Sequence, residues 1–187
     1  MHELSQMIKD DMKPALGVTE PGAIAFAVAK ARSFTKGDIK KVNVAMNSGM
    51  YKNAFTCGIP NSNEVGNVFA AALGVVAGNA DKGLESLADV TPEDNVKAQE
   101  MIDQGKVTVE LSGITSRIFI EATVETEEDK AIVTIRDSHT NITKITVNDK
   151  VELETEDEKK TEEDGGEEEA HSIHKYTLQQ LYDYVTT

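Results

Sequence analysis

Cysteine, tryptophan and basic residues are all scarce in this chain. Its 187 residues include one cysteine, no tryptophan, and 19 lysines and arginines against 33 acids, a formal charge of −14. One cysteine excludes an intrachain disulfide framework, a self-contained zinc ribbon and an all-cysteine iron–sulfur site. The shortage of base argues against nucleic acid as the main partner, because a phosphate backbone calls for a basic stripe. It also argues against an anionic membrane surface. Residues 23–29 and 68–77 are the longest apolar stretches, far short of the ~20 a membrane span needs. The start, MHELSQMIKDDMKPAL, is charged throughout and lacks the apolar core of a targeting signal. These features lead us to expect a cytoplasmic protein with Cys57 as a reduced thiol. Apolar content is 39%, low for a globular chain but well above a disordered one. The length suits one medium domain, or one domain with an appendage.

The acidic excess is uneven. Residues 151–187 hold 12 acids and 3 bases, a net of −9, which leaves −5 for residues 1–150. The run ELETEDEKKTEEDGGEEE buries almost nothing, so residues 151–170 read as a solvated acidic linker. Residues 171–187 then place Ile173, Leu178, Leu181, Tyr182 and Val185 at helical spacing, with Thr177 as a cap. That helix either opens a second domain or docks back on the first.

Residues 1–150 read as an α+β domain, helices packed on a largely antiparallel sheet. Helical signals cover 4–12 and the alanine-rich run after Thr19, with Thr19 as N-cap and Glu20-Pro21 in the first turn. Strand alternation covers 40–47. Residues 48–67 read as irregular, followed by a small-residue helix at 68–77 and a short helix at 81–88. Thr91-Pro92-Glu93-Asp94 is a strong helix start, and Gly105 a stop. Four alternating segments follow: 107–111, 118–125, 131–136 and 142–147.

Two stretches are too polar and glycine-rich for plain packing. Residues 47–63 carry Ser48, Lys52, Asn53, Thr56 and Asn61 among glycines that let a backbone approach a ligand. One lysine beside neutral donors suits a carboxylate. The same stretch also reads as an ordinary surface loop. Residues 136–141 place His139 amid small polar residues at a strand end, as an acid–base candidate or a simple turn. The Thr19-Glu20-Pro21 helix start either docks an anion or only caps. His171 and His174 lack a third metal ligand at defined spacing, so no metal site is assigned.

The segments ALGVTEPGAIAFAVAKAR, SGMYKNAFTCGIPN, AAALG, VTPEDNVKAQEMIDQGKVTVEL and DSHTNI, in this order over residues 5–150, resemble the N-terminal half of the L-cysteine desulfidase family. That family is related to the iron–sulfur L-serine dehydratases. The resemblance implies a full chain roughly twice this length, with a [4Fe–4S] cluster held by cysteines of a C-terminal half. It implies β-elimination from a small amino acid to pyruvate and ammonia without pyridoxal phosphate, one iron acting as Lewis acid on the leaving group. Thr19, Glu20 and Pro21 match T-E-P; Ser48, Gly49, Lys52 and Asn53 match S-G-x-x-K-N; Ser138, His139, Thr140 and Asn141 match S-H-T-N. By the family's logic these residues line the substrate side of a cleft facing the cluster. His139 would transfer the proton, with Glu20 and Lys52 the other catalytic candidates. Lys52 and Asn53 would contact the substrate's carboxylate or amine.

Two departures stand out. The family pattern L-G-C-T-E-P reads Val18 at its cysteine here, and these 187 residues do not include the cluster-binding half that the resemblance implies. Two readings follow. One is an N-terminal fragment or subunit of such a lyase, inactive alone and partnered by its C-terminal half. The other is a degenerate, non-catalytic module that binds amino acids or a partner chain. A face bared by the missing half would favour homo-oligomers.

Overall fold

In chain order the elements are α1 (Glu3–Asp11), α2 (Thr19–Arg32), β1 (Ile39–Met46), α3 (Ser48–Ala54), α4 (Asn67–Ala77), α5 (Pro92–Asp103), β2 (Val107–Leu111), β3 (Phe119–Thr126), β4 (Lys130–Arg136), β5 (Ile142–Val147), β6 (Lys150–Glu154) and α6 (Leu178–Thr186), with 3₁₀ turns at Ala80–Glu85 and Ile173–Lys175. The computed structural model describes residues 2–12, 14–113, 118–155 and 173–186. The chain divides into two units, Pro14–Asp157 and Met1–Lys13 with Glu158–Thr187. Most of the acidic run, and His171, lie outside the described residues, as does the side chain of His174.

The larger unit is α+β. Its six strands form one sheet in the order β2-β1-β3-β4-β5-β6. Among the described residues only β1 and β2 run parallel, as α3, α4 and α5 intervene between them. Alternation along the strands gives the sheet two unlike faces. Val42, Val44 and Met46 pair with Val124, Ala122 and Ile120, and all six are buried with Ala131, Val133 and Ile135. The intervening positions include Lys41, Asn43, Glu121 and Glu125, so that face is polar.

Helix α2 packs on β3 and β4, and α4 on β1 and β2. Ten residues of α2 are buried, which fits its nearly unbroken apolar run. The two helices approach at backbone distance. A Cβ added to Gly74 would stand 2.7 Å from the Ala25 carbonyl oxygen and 2.8 Å from Ala25 Cα. One on Gly22 would stand 3.0 Å from the Leu84 oxygen. Gly74→Ala is therefore expected to destabilise the protein by about 1–3 kcal/mol, although alanine is the better helix former. Thermal melting checks this as a fall in Tm on the order of 5 °C; an unchanged Tm would show that the helices part at no cost.

Three local expectations need correction. Thr19 is the first helical residue of α2, and the N-cap is Val18, which makes no side-chain cap bond. Residues 48–54, expected to be irregular, form α3; Gly49 and Asn53 are weak helix formers, so local pattern did not reveal it. The start of the acidic run is not linker, since residues 150–154 pair with β5 as β6. The turn Asn148-Asp149, with φ of 48° and 65°, supplies the two left-handed residues of a tight hairpin. Ladder bonding and that turn win over the low β-propensity of the glutamates.

Helix α5 starts as expected. The Thr91 hydroxyl accepts from the Asp94 N–H at 3.3 Å, and the Asp94 carboxylate accepts from the Thr91 N–H at 3.1 Å and its hydroxyl at 2.7 Å. The Thr91 hydroxyl bond, then its N–H, then Lys97, hold Asp94 below the usual carboxylate range. A depressed carboxylate stabilises the fold above its unfolded pKa, near ~4, and stops doing so as pH falls through the lower folded value. Thr91→Ala is expected to cost about 1 kcal/mol at pH 7. The gap to the parent should narrow below about pH 4, a trend that urea unfolding at pH 7 and pH 3 reads directly.

In the smaller unit, Ser5 Oγ and Tyr184 OH lie 2.8 Å apart and the Tyr176 hydroxyl donates to Glu3 Oε2 at 2.6 Å. Lys175 forms an ion pair with the same Glu3. Thr177 caps α6 as expected: its hydroxyl accepts from the Gln180 N–H at 3.3 Å, and Gln180 Oε1 accepts from the Thr177 N–H at 2.8 Å. Leu178, Tyr182 and Val185 are exposed along α6. No helix among the described residues is long and apolar enough to cross a membrane.

Candidate active site

Four segments of the chain converge on one open cleft of about 550 Å³. Glu20 comes from the first turn of α2. Gly49, Met50 and Asn53 come from α3. Asp137, Ser138 and His139 come from the β4–β5 turn, and Ile118 from the entry to β3. At about 100° per residue, positions 49, 50 and 53 share one side of a helix. That side of α3 faces the cleft.

The polar groups form a chain. Asn53 Nδ2 donates to Glu20 Oε1 at 3.0 Å. The Thr19 hydroxyl reaches Glu20 Oε2 at 3.4 Å and lies 3.4 Å from His139 Nε2. Both contacts of the threonine are long for hydrogen bonds. His139 is half-buried. Its turn is closed by main-chain bonds: Ser138 N–H to Arg136 O at 2.7 Å, Arg136 N–H to Asn141 O at 3.1 Å, and Asp137 N–H to Ile118 O at 3.1 Å. Asp137 sits at φ 65°, a left-handed conformation that aspartate tolerates better than most residues.

The structure thus brings together Thr19, Glu20, Gly49, Asn53, Ser138 and His139. Four other sequence candidates lie elsewhere. Ser48 and Lys52 are exposed and outside the lining, on the other sides of α3 by the same helical geometry. Thr140 faces the 3₁₀ segment, its Cγ2 3.9 Å from where a Cβ on Gly83 would stand. The Asn141 amide donates to Arg136 O at 3.1 Å and so closes the turn. Farther along the same polar stretch, Asn61 Nδ2 donates to Leu87 O and Ala88 O at 2.9 and 3.0 Å. A second cleft of about 570 Å³ lies beside it, with the amides of Asn61, Asn63, Asn95 and Gln99 in its lining and Glu64 its one titratable side chain.

Met50, Ile118 and Asp137 were not singled out from sequence. Met50 was hidden because α3 was not read as a helix. Asp137 had a signal, an acid at a strand end beside His139. Asn47 is a support of a different kind. It is 7% exposed, its Oδ1 accepts from the Phe119 N–H at 3.2 Å, and its carbonyl accepts from the Tyr51 N–H at 3.0 Å. It therefore ties the first turn of α3 to β3. Asn47→Ala would leave the buried Phe119 N–H without that acceptor, at a cost of about 1–3 kcal/mol. Denaturant unfolding is expected to show that loss, and amide exchange across residues 50–54 is expected to quicken. Parental exchange there would mean that α3 is anchored by something else.

A [4Fe–4S] cluster does not fit the residues of this chain. Cys57 is its one cysteine, and that thiol donates to the Asn53 carbonyl. Among the described residues no group of three or more His, Cys, Asp or Glu is placed to hold a metal ion.

Over 145 residues the chain is 39% identical to UPF0597 proteins of Clostridium botulinum strains Hall (type A) and Okra (type B1), covering 78% of this chain and 34% of each relative. Another UPF0597 protein of strain Hall is 37% identical over 157 residues, 84% of this chain and 36% of the relative. No family profile and no solved structure matches the chain. It spans about a third of the length of the curated relatives it matches, and its homologues are UPF0597 proteins.

Proposed function

We propose that this chain is the amino-acid-binding portion of a β-eliminating lyase acting on L-cysteine or L-serine. The observation that carries the reading is the convergence of Thr19, Glu20, Asn53, Ser138 and His139 on one cleft. Their order and spacing resemble the L-cysteine desulfidases. The reaction on cysteine removes the α-proton and the β-thiol; addition of water to the resulting enamine then yields pyruvate, ammonia and sulfide. L-serine loses water in place of sulfide.

His139 takes the α-proton. The Thr19 hydroxyl beside Nε2 steadies the imidazole, and Asn53 fixes Glu20 so that its carboxylate faces the bound amino acid. The [4Fe–4S] cluster that the resemblance implies takes its ligands from the rest of a longer protein, which accounts for a chain with one cysteine and for relatives about three times the matched length. The second reading, a non-catalytic binding module, rests on Val18 at the family's cysteine position.

The test is anaerobic reconstitution of this chain joined to its complementary portion, scoring sulfide and pyruvate. Product is expected from L-cysteine or L-serine. His139→Ala is expected to lower kcat/KM by about 10²–10⁴-fold, the usual worth of a general base. Lys52→Ala, outside the lining, is expected to cost much less. No product from either amino acid would overturn the lyase reading and favour the binding module.

A further inference from the structure

The charge of the cleft is opposite to what residues 47–63 suggested from sequence. Glu20 and Asp137 both line it, and no lysine or arginine is among the lining residues. The two bases nearest in sequence point elsewhere. Lys52 is exposed and outside the lining. Arg136 lies with its guanidinium 5.2 Å from the Phe119 ring centre and lines a separate cleft on the polar sheet face with Glu121 and Thr134. His139 is the one lining side chain that can carry positive charge.

The two carboxylates differ in their surroundings. Glu20 is held by Asn53 and Thr19. The Asp137 carboxylate has no hydrogen-bond or ion-pair partner among the described residues, and only its main-chain N–H is engaged, with Ile118 O. Its turn is fixed by that bond and by the Arg136–Asn141 pair. Asp137, exposed in its turn, therefore presents an open acceptor in the same cleft as the Glu20 carboxylate. A recess lined by one sign of charge attracts the opposite sign, and charge-assisted bonds to an ammonium are the strong ones.

We infer that the cleft selects its ligand by a primary ammonium group, received by Asp137 and Glu20, and that Asp137 is a specificity-determining residue. This rests on the cleft proposed above as the amino-acid site but not on any reaction there. The ligand class is a small primary amine, and the carboxylate is not what this cleft reads.

The experiment titrates the 187-residue chain with L-serine, with ethanolamine, which keeps amine and hydroxyl but lacks the carboxylate, and with 3-hydroxypropionate, which lacks the amine. Amide chemical shifts of residues 49–53 and 137–139 are the readout. L-serine and ethanolamine are expected to move the same resonances and 3-hydroxypropionate none. Asp137→Asn keeps a residue that tolerates the left-handed turn, and it should weaken ethanolamine binding by about 10-fold. Equal binding of 3-hydroxypropionate, unchanged affinity in Asp137→Asn, or no shift with any ligand would overturn the inference. Amine-selective shifts from a chain whose reconstituted parent forms no pyruvate would sink the lyase reading and leave this one standing.

Discussion

The approach of α4 to α2 at backbone distance is the constraint on which the larger unit depends. Gly74 leaves no room for a side chain against Ala25, and the alanines of both helices keep the contact smooth. Small residues give up apolar area, but they let two helices and a sheet close into a dense core. With its body sealed between α4 and the sheet, α2 has little freedom to shift or rotate. Its first turn inherits that rigidity, so Thr19 and Glu20 stand at fixed positions at the cleft although both are only half-buried.

The other walls of the cleft are anchored in the same frame. Asn47 sits where β1 ends and α3 begins, and its bond to the Phe119 N–H holds that corner to β3. The β4–β5 turn rides on the next strand of the same sheet and is tied to Ile118 at the entry to β3. The first turn of α2, helix α3 and the β4–β5 turn are thus fixed by one helix pair and two neighbouring strands. The result is a preorganised but open recess, with acid–base groups and no set of cluster ligands. Such a recess suits a chain that matches one third of its relatives.

Much of the fold was legible because burial imposes simple periods. The alternation of Val42, Val44 and Met46 and of Ala131, Val133 and Ile135 marked strands, and the capping residues Thr91 and Asp94 marked α5. Where tertiary contact competed with local preference, legibility failed. The seven residues of α3 include glycine and asparagine and hold as a helix because Asn47, Met50 and Ala54 are buried. Strand β6 is rich in glutamate and forms because β5 offers an edge and Asn148-Asp149 turn the chain back onto it. For the site, Thr19-Glu20, Asn53 and Ser138-His139 were marked by polarity in an otherwise economical sequence. Lys52 was marked by the same signal, and only its side of the helix separates it from Asn53.

By itself the sequence determined the α+β class, the principal helices and strands, the candidate polar groups and the lack of cysteine ligands for a cluster, since each follows from residue type and short-range spacing. Tertiary structure alone decided which of those groups meet. Residues 20, 53 and 137 are separated by dozens of positions and come together only through the packing of α2 and the order of the sheet. It also decided the sign of the cleft's charge, because pleat and helical phase turn Arg136 and Lys52 away and leave Glu20 and Asp137 on its walls.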